Sequence, residues 1–348
     1  MVIETIFNQM KADLSSGVLV RNGKLPVREV LGRRYGVSKA TVQKAFATLE
    51  KEGFVVSRGS MGTFVNPASP NRNDVAVILP TGSRNMTSNS FYSQFPRECS
   101  RLEKLYDKRF RLFYVDDMRM RKDDFQRLGE EAHAMRFWGA FFTFAPFEWM
   151  YEPFLSNGIP VVALTDESCP RISTIWVDYS ELLEKMLCSC RAAGCRRPAL
   201  VSMTSVPYRH IVDYQKKAAE MGMEVSDRLI YGFHGFPAHS EWFKHPVHSF
   251  FSGDNQPDAL LLLDETFLLH SYAALLEIGK VPGKDVQVIS QRTFPGDFSA
   301  PEAVSFIGFG LDDIVQSSLH ALSSLAEGKR PTEKFELVPP ITTTEKSL

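Results

Sequence analysis

The chain has 348 residues, 44% of them hydrophobic and 23% charged, with a net charge of −1, the profile of an ordinary globular protein. No apolar run approaches the roughly 20 residues of a membrane span, and the first residues, MVIETIFNQMKADL, are amphipathic and acid-bearing rather than a secretory signal. Five unevenly spread cysteines offer no disulfide framework, so a reducing, cytoplasmic setting is expected. The near-zero charge hides an asymmetry. Residues 1–66 hold ten Lys/Arg and five Asp/Glu, a net of +5, which leaves −6 on the rest. A compact basic segment on an acidic body is an electrostatic footprint for phosphates.

In chain order, Ile3, Ile6, Phe7, Met10 and Leu14 repeat at i, i+3, i+4, i+7 and i+11, one apolar helical face. Val27, Val30 and Leu31 mark a shorter second helix, ended by Gly36. Ser38 is placed to cap a third, whose apolar positions are Val42, Ala45, Phe46 and Leu49. Gly53 stops that helix. Phe54–Ser57 and Thr63–Val65 read as two strands joined by Arg58-Gly59-Ser60-Met61-Gly62. Helix, tight turn, helix and glycine-punctuated hairpin describe a winged helix-turn-helix, a unit shaped to enter a DNA groove. Asn66–Asn73, with two prolines and three asparagines, reads as a linker.

The expected DNA contacts follow from side-chain chemistry. Lys39 and Gln43 are i, i+4 neighbours on the polar face of the third helix, with Thr41 and Lys44 beside them. Lys39 suits guanine acceptors or phosphate, and Gln43 can pair bidentately with adenine. Ser38, Thr41 and the amides at the helix start suit phosphates. Arg58, Ser60 and Gly62 form a basic wing tip for the adjacent minor groove. The competing reading is a merely solvated helix face. It fails to account for the turn, the wing and the charge segregation together.

From Asp74 onward, apolar strands alternate with amphipathic helical stretches. Strands are expected at 75–79, 111–115, 139–144, 159–164, 198–203, 228–233, 258–263, 285–290 and 304–309. Helices are expected at 92–107, 119–136, 179–193, 208–221, 265–279 and 311–327. Continuous apolar strands between helices imply parallel sheets covered on both faces. Nine or so strands suit two doubly wound lobes, with a ligand crevice at the strands' carboxyl ends. Cys188, Cys190 and Cys195 lack a fourth ligand at metal spacing, and His234, His239, His245 and His248 match no helical ligand pair, so no metal or cofactor is expected.

Leu25-Pro26, Leu31, Gly36-Val37-Ser38, Thr41-Val42, Ala45, Leu49, Gly53 and Gly62-Thr63-Phe64-Val65 resemble the GntR family of bacterial transcription regulators over about 60 residues. That family's three main groove arginines are replaced. Glu29 stands at the first, with Arg28 one place early, and Lys39 and Gln43 stand at the others. The resemblance implies the docking mode but not the base preference. A Glu29 facing DNA would be repulsive unless it pairs with a neighbour or reads a cytosine amine.

Asn89-Ser-Phe91-Tyr92, Gly158-Ile-Pro-Val-Val162, Gly194-Cys-Arg-Arg-Pro-Ala-Leu-Val201, Pro257-Asp-Ala259 through Asp264, and Val281-Pro-Gly-Lys-Asp-Val286 resemble the effector domain of LacI-type repressors and periplasmic sugar-binding proteins. Joined to a GntR-type winged helix, this is the arrangement of the arabinose-repressor subgroup. The resemblance implies an α/β chain with a winged helix over 1–66, a linker over 67–73, a two-lobed type I periplasmic-binding-protein-like domain over 74–340, and a tail over 341–348. It carries Asn89, Phe91, Tyr92, Thr165, Asp166, Arg209, His210 and Asp264 over as effector contacts. The aromatics would stack on a ring, and Asp264 would accept from hydroxyls. Thr165-Asp166 stands where many sugar binders have Asp-Arg, and Arg209 or His210 stands near the family's ligand arginine. The implied function is a ligand-responsive regulator, a repressor, binding double-stranded operator DNA as a homodimer and a small, carbohydrate-like effector in its cleft. It would be neither an enzyme nor membrane-bound. A solute-binding or enzyme-like domain fused to a DNA-binding module is the alternative; no nucleophile elbow, P-loop or dinucleotide loop supports it.

Overall fold

The structure, a computed structural model, describes residues 2–15, 24–51, 53–65, 74–80, 91–115, 121–134, 137–203, 208–233, 240–296, 303–331 and 336–342. The N-terminal unit contains α1 (Val2–Ser15), α2 (Arg28–Tyr35), α3 (Lys39–Lys51), β1 (Val55–Ser57) and β2 (Thr63–Val65). Its core is Ile6, Met10, Leu25, Leu31, Val42, Ala45, Phe46, Leu49, Phe54 and Val55. The helical period therefore predicts the buried face of α3 correctly. In α2 it does not: Val27 precedes the helix and is 60% exposed, Val30 is 44% exposed, and Leu31 carries the burial. Likewise Ile3 lies outside the core that Ile6 and Met10 enter.

Two local devices set the turn between α2 and α3. Gly36 adopts φ 66°, the left-handed conformation that most side chains avoid, and its amide bonds back to Gly32. Ser38 Oγ then accepts the Thr41 amide at 3.2 Å, satisfying a free N–H at the start of α3. The wing is an antiparallel pair, Val55 opposite Val65 and Ser57 opposite Thr63. Lys24 bridges to Phe64, and the Leu25 amide donates to Thr63 at 2.9 Å, which adds a third short edge.

The remainder holds two six-stranded sheets. The first contains β3 (Asp74–Pro80), β4 (Arg109–Val115), β5 (Gly139–Phe142), β6 (Val161–Leu164) and β7 (Ser173–Val177). It also takes in β13 (Glu336–Val338) from near the C-terminus. The order is β13-β7-β6-β5-β3-β4, all parallel. Helices α4 (Phe91–Tyr106), α5 (Lys122–Ala134) and α6 (Glu148–Ser156) connect its strands. The second contains β8 (Pro198–Met203), β9 (Ile230–Phe233), β10 (Ala259–Leu262), β11 (Gln287–Phe294), β12 (Val304–Gly310) and β14 (Ile341–Thr342). Its order is β14-β12-β11-β10-β8-β9, with β14 antiparallel. Helices α7 (Tyr179–Ala192), α8 (Tyr208–Glu220), α9 (His245–Phe250) and α10 (Leu268–Glu277) accompany it, and α11 (Leu311–Ala326) follows β12.

Helix α11 leaves the second sheet but packs against β5, β6, β7 and β13 of the first. The chain thus crosses between lobes three times: after β7, after β12 and between β13 and β14. The crossings support one another. The Asp178 amide donates to Val338 at 2.9 Å, and Lys185 Nζ donates to the Pro340 carbonyl at 2.7 Å. One apolar cluster runs through both lobes, from Val77 and Phe141 to Leu261 and Ile307. Ile341 and Thr342, expected from the sequence to begin a tail, pair with Gly308 and Ile307.

Candidate DNA interface and ligand cleft

The α2–α3 surface is built by two side-chain pairs. Glu29 and Lys39 form an ion pair, with both side chains more than half exposed. The Lys39 hydrogen bond holds the Glu29 carboxyl below its usual range. Arg28 Nε donates to Gln43 Oε1, and its guanidinium lies 4.9 Å from the ring centre of the buried Phe46. Arg28, Glu29, Gly32, Arg33, Gly36, Val37 and Lys39 line one open depression at the helix-turn-helix. Lys44 is exposed with no ion pair among the described residues. The Ser38 and Thr41 hydroxyls lie 2.9 Å apart. The condition set by the sequence on Glu29 is met: it pairs with a neighbour.

At the wing, Arg58 lies 5.1 Å from the ring centre of Phe64, and Lys24 lies 5.8 Å from the same ring. Gly62 sits beside the Lys24 side chain, where a Cβ would come within 2.8 Å of Cε. The Ser60 side chain lies outside the described residues. Lys24 was missed by sequence reasoning because it precedes the first recognisable motif residue. Its only signal was positive charge next to Leu25-Pro26.

In the body, the strands' carboxyl ends bring several expected residues around Tyr179, at the start of α7. Burial raises the Tyr179 phenol, and the nearby Asp264, Tyr92 and Asp166 push it further. Rings surround it: Trp176 at 5.9 Å, His210 at 5.7 Å and Phe309 at 6.0 Å between centres. The Tyr92 hydroxyl donates to the Thr143 carbonyl at 3.0 Å. Asp166, in the loop after β6, pairs with Arg209 at the start of α8, so this ion pair joins the two lobes. Gln94 Nε2 makes a second link, donating to the Thr293 carbonyl at 2.8 Å.

His210 has a lowered pKa, through burial first and then the Arg209 charge, which keeps the imidazole neutral at pH 7. Its Nε2 and the indole Nε1 of Trp176 are buried with no hydrogen-bond partner among the described residues. Groups left in that state are what a polar ligand would satisfy. Asp264 accepts the Thr266 amide at 2.8 Å, and burial raises its carboxyl pKa. Next to it in sequence, Glu265 faces Arg292, with 3.8 Å between Oε2 and Nε and both side chains under 10% exposed.

Two expected contacts move. Phe91 is 8% exposed and packs on Phe95, Phe141 and Tyr92, so it belongs to the core. Thr165 is buried, and its hydroxyl accepts the Glu167 amide, shaping the turn that carries Asp166. Asn89 lies outside the described residues. Tyr179, Trp176, Glu265 and Arg292 were missed. The legible signal was Arg292, a charge inside the apolar strand β11.

Of the other clusters, Cys188, Cys190 and Cys195 are free thiols, and His248 pairs with Glu277. His234 and His239 lie outside the described residues. Among those residues no set of three or more His, Cys, Asp or Glu could hold a metal, and no helix is long and apolar enough to cross a membrane.

Residues 2–65 match the model of the bacterial regulatory proteins of the gntR family. This unit is a GntR-type helix-turn-helix domain. Over 65 residues the GntR-type segment is 37% identical to an uncharacterized HTH-type transcriptional regulator, YurK, of Bacillus subtilis. That match spans 19% of this chain and 27% of the relative. Most of the chain is similar in fold to solved transcription regulators, several of them of the LacI family. A LacI-family regulatory protein from Chloroflexus aggregans superposes with a TM-score of 0.62 at 16% identity, covering 78% of this chain and 96% of that one. The transcriptional regulator CelR, in complex with cellobiose, gives 0.60 at 14% identity, covering 91% and 98%. CcpA of Lactococcus lactis gives 0.57 at 15%, covering 78% and 97%. The two-lobed architecture behind the GntR-type domain is therefore LacI-like.

Proposed function

We propose that this chain is a ligand-responsive transcription regulator, a repressor that binds operator DNA as a homodimer and a carbohydrate-like effector between its two lobes. One observation carries the reading: a GntR-type DNA-binding unit shares a chain with a LacI-like body whose cleft gathers aromatic rings, carboxylates and unpartnered buried N–H or imidazole groups. Tyr92 and Tyr179 offer ring faces to the apolar side of a sugar, while Asp166, Asp264 and His210 suit its hydroxyls. The Asp166–Arg209 pair joins the lobes, so an effector that prefers one lobe arrangement shifts a two-state equilibrium and changes the placement of the DNA-binding units.

A thermal-shift screen of mono- and disaccharides tests this reading. A sugar present at about 100 times its Kd should stabilise the folded chain by about 2.7 kcal/mol and change its affinity for operator DNA. A complete screen with no shift, or a shift that leaves DNA affinity untouched, contradicts the effector role.

A further inference from the structure

We propose that Trp176 is an effector-binding residue whose indole N–H donates to a hydroxyl oxygen of the bound molecule, with His210 holding the same or a neighbouring hydroxyl from the opposite lobe. This rests on the effector-binding reading above and adds to it a donor that lies outside the sequence motifs.

Trp176 lies near the carboxyl end of β7 in the first lobe, and His210 lies on α8 in the second. Their rings sit 5.9 Å and 5.7 Å from that of Tyr179, where the chain passes from one lobe to the other. The indole Nε1 and the imidazole Nε2 are buried, with no hydrogen-bond partner among the described residues. The Ser271 and Thr266 hydroxyls are buried in the same state. A hydroxyl, however, can turn about its C–O bond toward another acceptor. An indole nitrogen has one N–H in a fixed direction and accepts nothing, so only an acceptor brought to it can satisfy it. Leaving such a donor dry costs more than a typical hydrogen bond returns.

A hydroxyl is the group that fits both rings. Its oxygen accepts from the indole, and it can donate to or accept from the imidazole, so it suits either tautomer of His210. A carboxylate suits only the tautomer with a proton on Nε2, and an apolar group suits neither ring. The carboxylates nearby are engaged elsewhere: Asp166 pairs with Arg209, and Asp264 accepts the Thr266 amide. Because Trp176 and His210 belong to different lobes, a molecule bonded to both favours the arrangement that keeps them around Tyr179.

The test is NMR of the full chain with isotope-labelled tryptophan indoles, using D-glucose, D-galactose, D-ribose, L-arabinose, maltose and cellobiose as probes. The chain has four tryptophans, and the Trp176 signal is the one missing from Trp176→Phe. A sugar that raises the melting temperature should move the Trp176 indole proton downfield, as a donor that gains an acceptor does. Trp176→Phe should bind that sugar about three- to tenfold more weakly, the worth of one neutral hydrogen bond. The deficit should shrink for one of the sugar's monodeoxy analogues, the one lacking the contacted hydroxyl, which separates the hydrogen bond from lost ring packing. Trp138→Phe, just before the amino end of β5, should bind the sugar as the unaltered chain does. An indole proton that stays in place while a sugar binds, or a deficit equal for every monodeoxy analogue, overturns the proposal and leaves the effector reading standing. If none of these sugars shifts the melting temperature, the carbohydrate reading fails and the proposal with it.

Discussion

Replacing Gly308 by alanine is expected to disrupt the second lobe, with a melting temperature at least about 10 °C lower or no cooperative transition. Gly308 lies in β12, opposite Arg292 of β11 on one side and Ile341 of β14 on the other. A Cβ built there falls 1.7 Å from the Arg292 carbonyl oxygen and 2.6 Å from its amide nitrogen. These are backbone atoms of a paired strand, so no rotamer change relieves the clash. Strands β11 and β12 would have to part in the middle of their ladder. The movement would also displace the Arg292 side chain, which lies 4.4 Å from the centre of the Phe306 ring and faces Glu265. Overpacking typically costs about 1–3 kcal/mol where neighbours can yield, and a clash with paired backbone atoms belongs to the exceptional losses of about 4 kcal/mol or more; in a body of this size each kcal/mol lowers Tm by roughly 2–4 °C. Gly253→Ala is the matched control, because a Cβ there meets nothing within 4 Å. Calorimetry of the two variants decides the matter; equal melting temperatures would show that β11 and β12 are not so closely apposed.

The second large effect is on the pH dependence of stability, through Glu265→Gln. Burial and the neighbouring Asp264 push the Glu265 carboxyl up from 4.5 to about 8, and the Arg292 guanidinium, 3.8 Å away, offsets only part of this. The folded protein therefore keeps a proton that the unfolded chain has lost between those two values. Such a group stabilises fully below about pH 4.5, and its contribution drains away as pH rises toward 8. A tenfold difference in proton affinity between the folded and unfolded chain is worth about 1.4 kcal/mol, so the change across the window is on the order of a few kcal/mol. Glutamine resembles the protonated form at every pH. The variant should match the unaltered chain near pH 5 and melt several degrees higher near pH 8. Parallel melting curves from pH 5 to 8 would show that Glu265 is ionised throughout.

What the sequence made legible was mostly local. The α3 core positions, the Ser38 cap, the Gly36 turn and the wing hairpin depend on spacing within a few residues, and the structure has them. The alternating strands and helices of the body were legible for the same reason. β7 was not, because Ser173-Thr-Ile-Trp-Val177 starts polar and lacks a long apolar run. α6 carries Pro153 within it, and α9 has only six residues, too few to show a period. β13 joins the first sheet from more than 150 residues downstream of its partner β7, a pairing that periodicity cannot encode.

The candidate site followed the same rule. Asp166, His210, Asp264 and Tyr92 do gather around one ring, but that ring is Tyr179, which no motif singled out. Phe91 looked like a stacking platform and is spent on packing against Phe95 and Phe141. The pairings Arg28–Gln43 and Glu29–Lys39 cross the turn between two helices, so they depend on how α2 docks on α3. Residue identity raised the question about Glu29, and tertiary geometry answered it.

Sequence-specific DNA binding by the GntR-type surface is the property on which everything else depends. Its most direct test is the affinity of the full chain for the duplex it enriches from a random pool, against a shuffled duplex, at about 150 mM salt. The expected preference is about a thousandfold or more, reduced at least tenfold by Lys39→Ala together with Gln43→Ala. Equal affinity for the two duplexes, or a preference untouched by that double replacement, would contradict it.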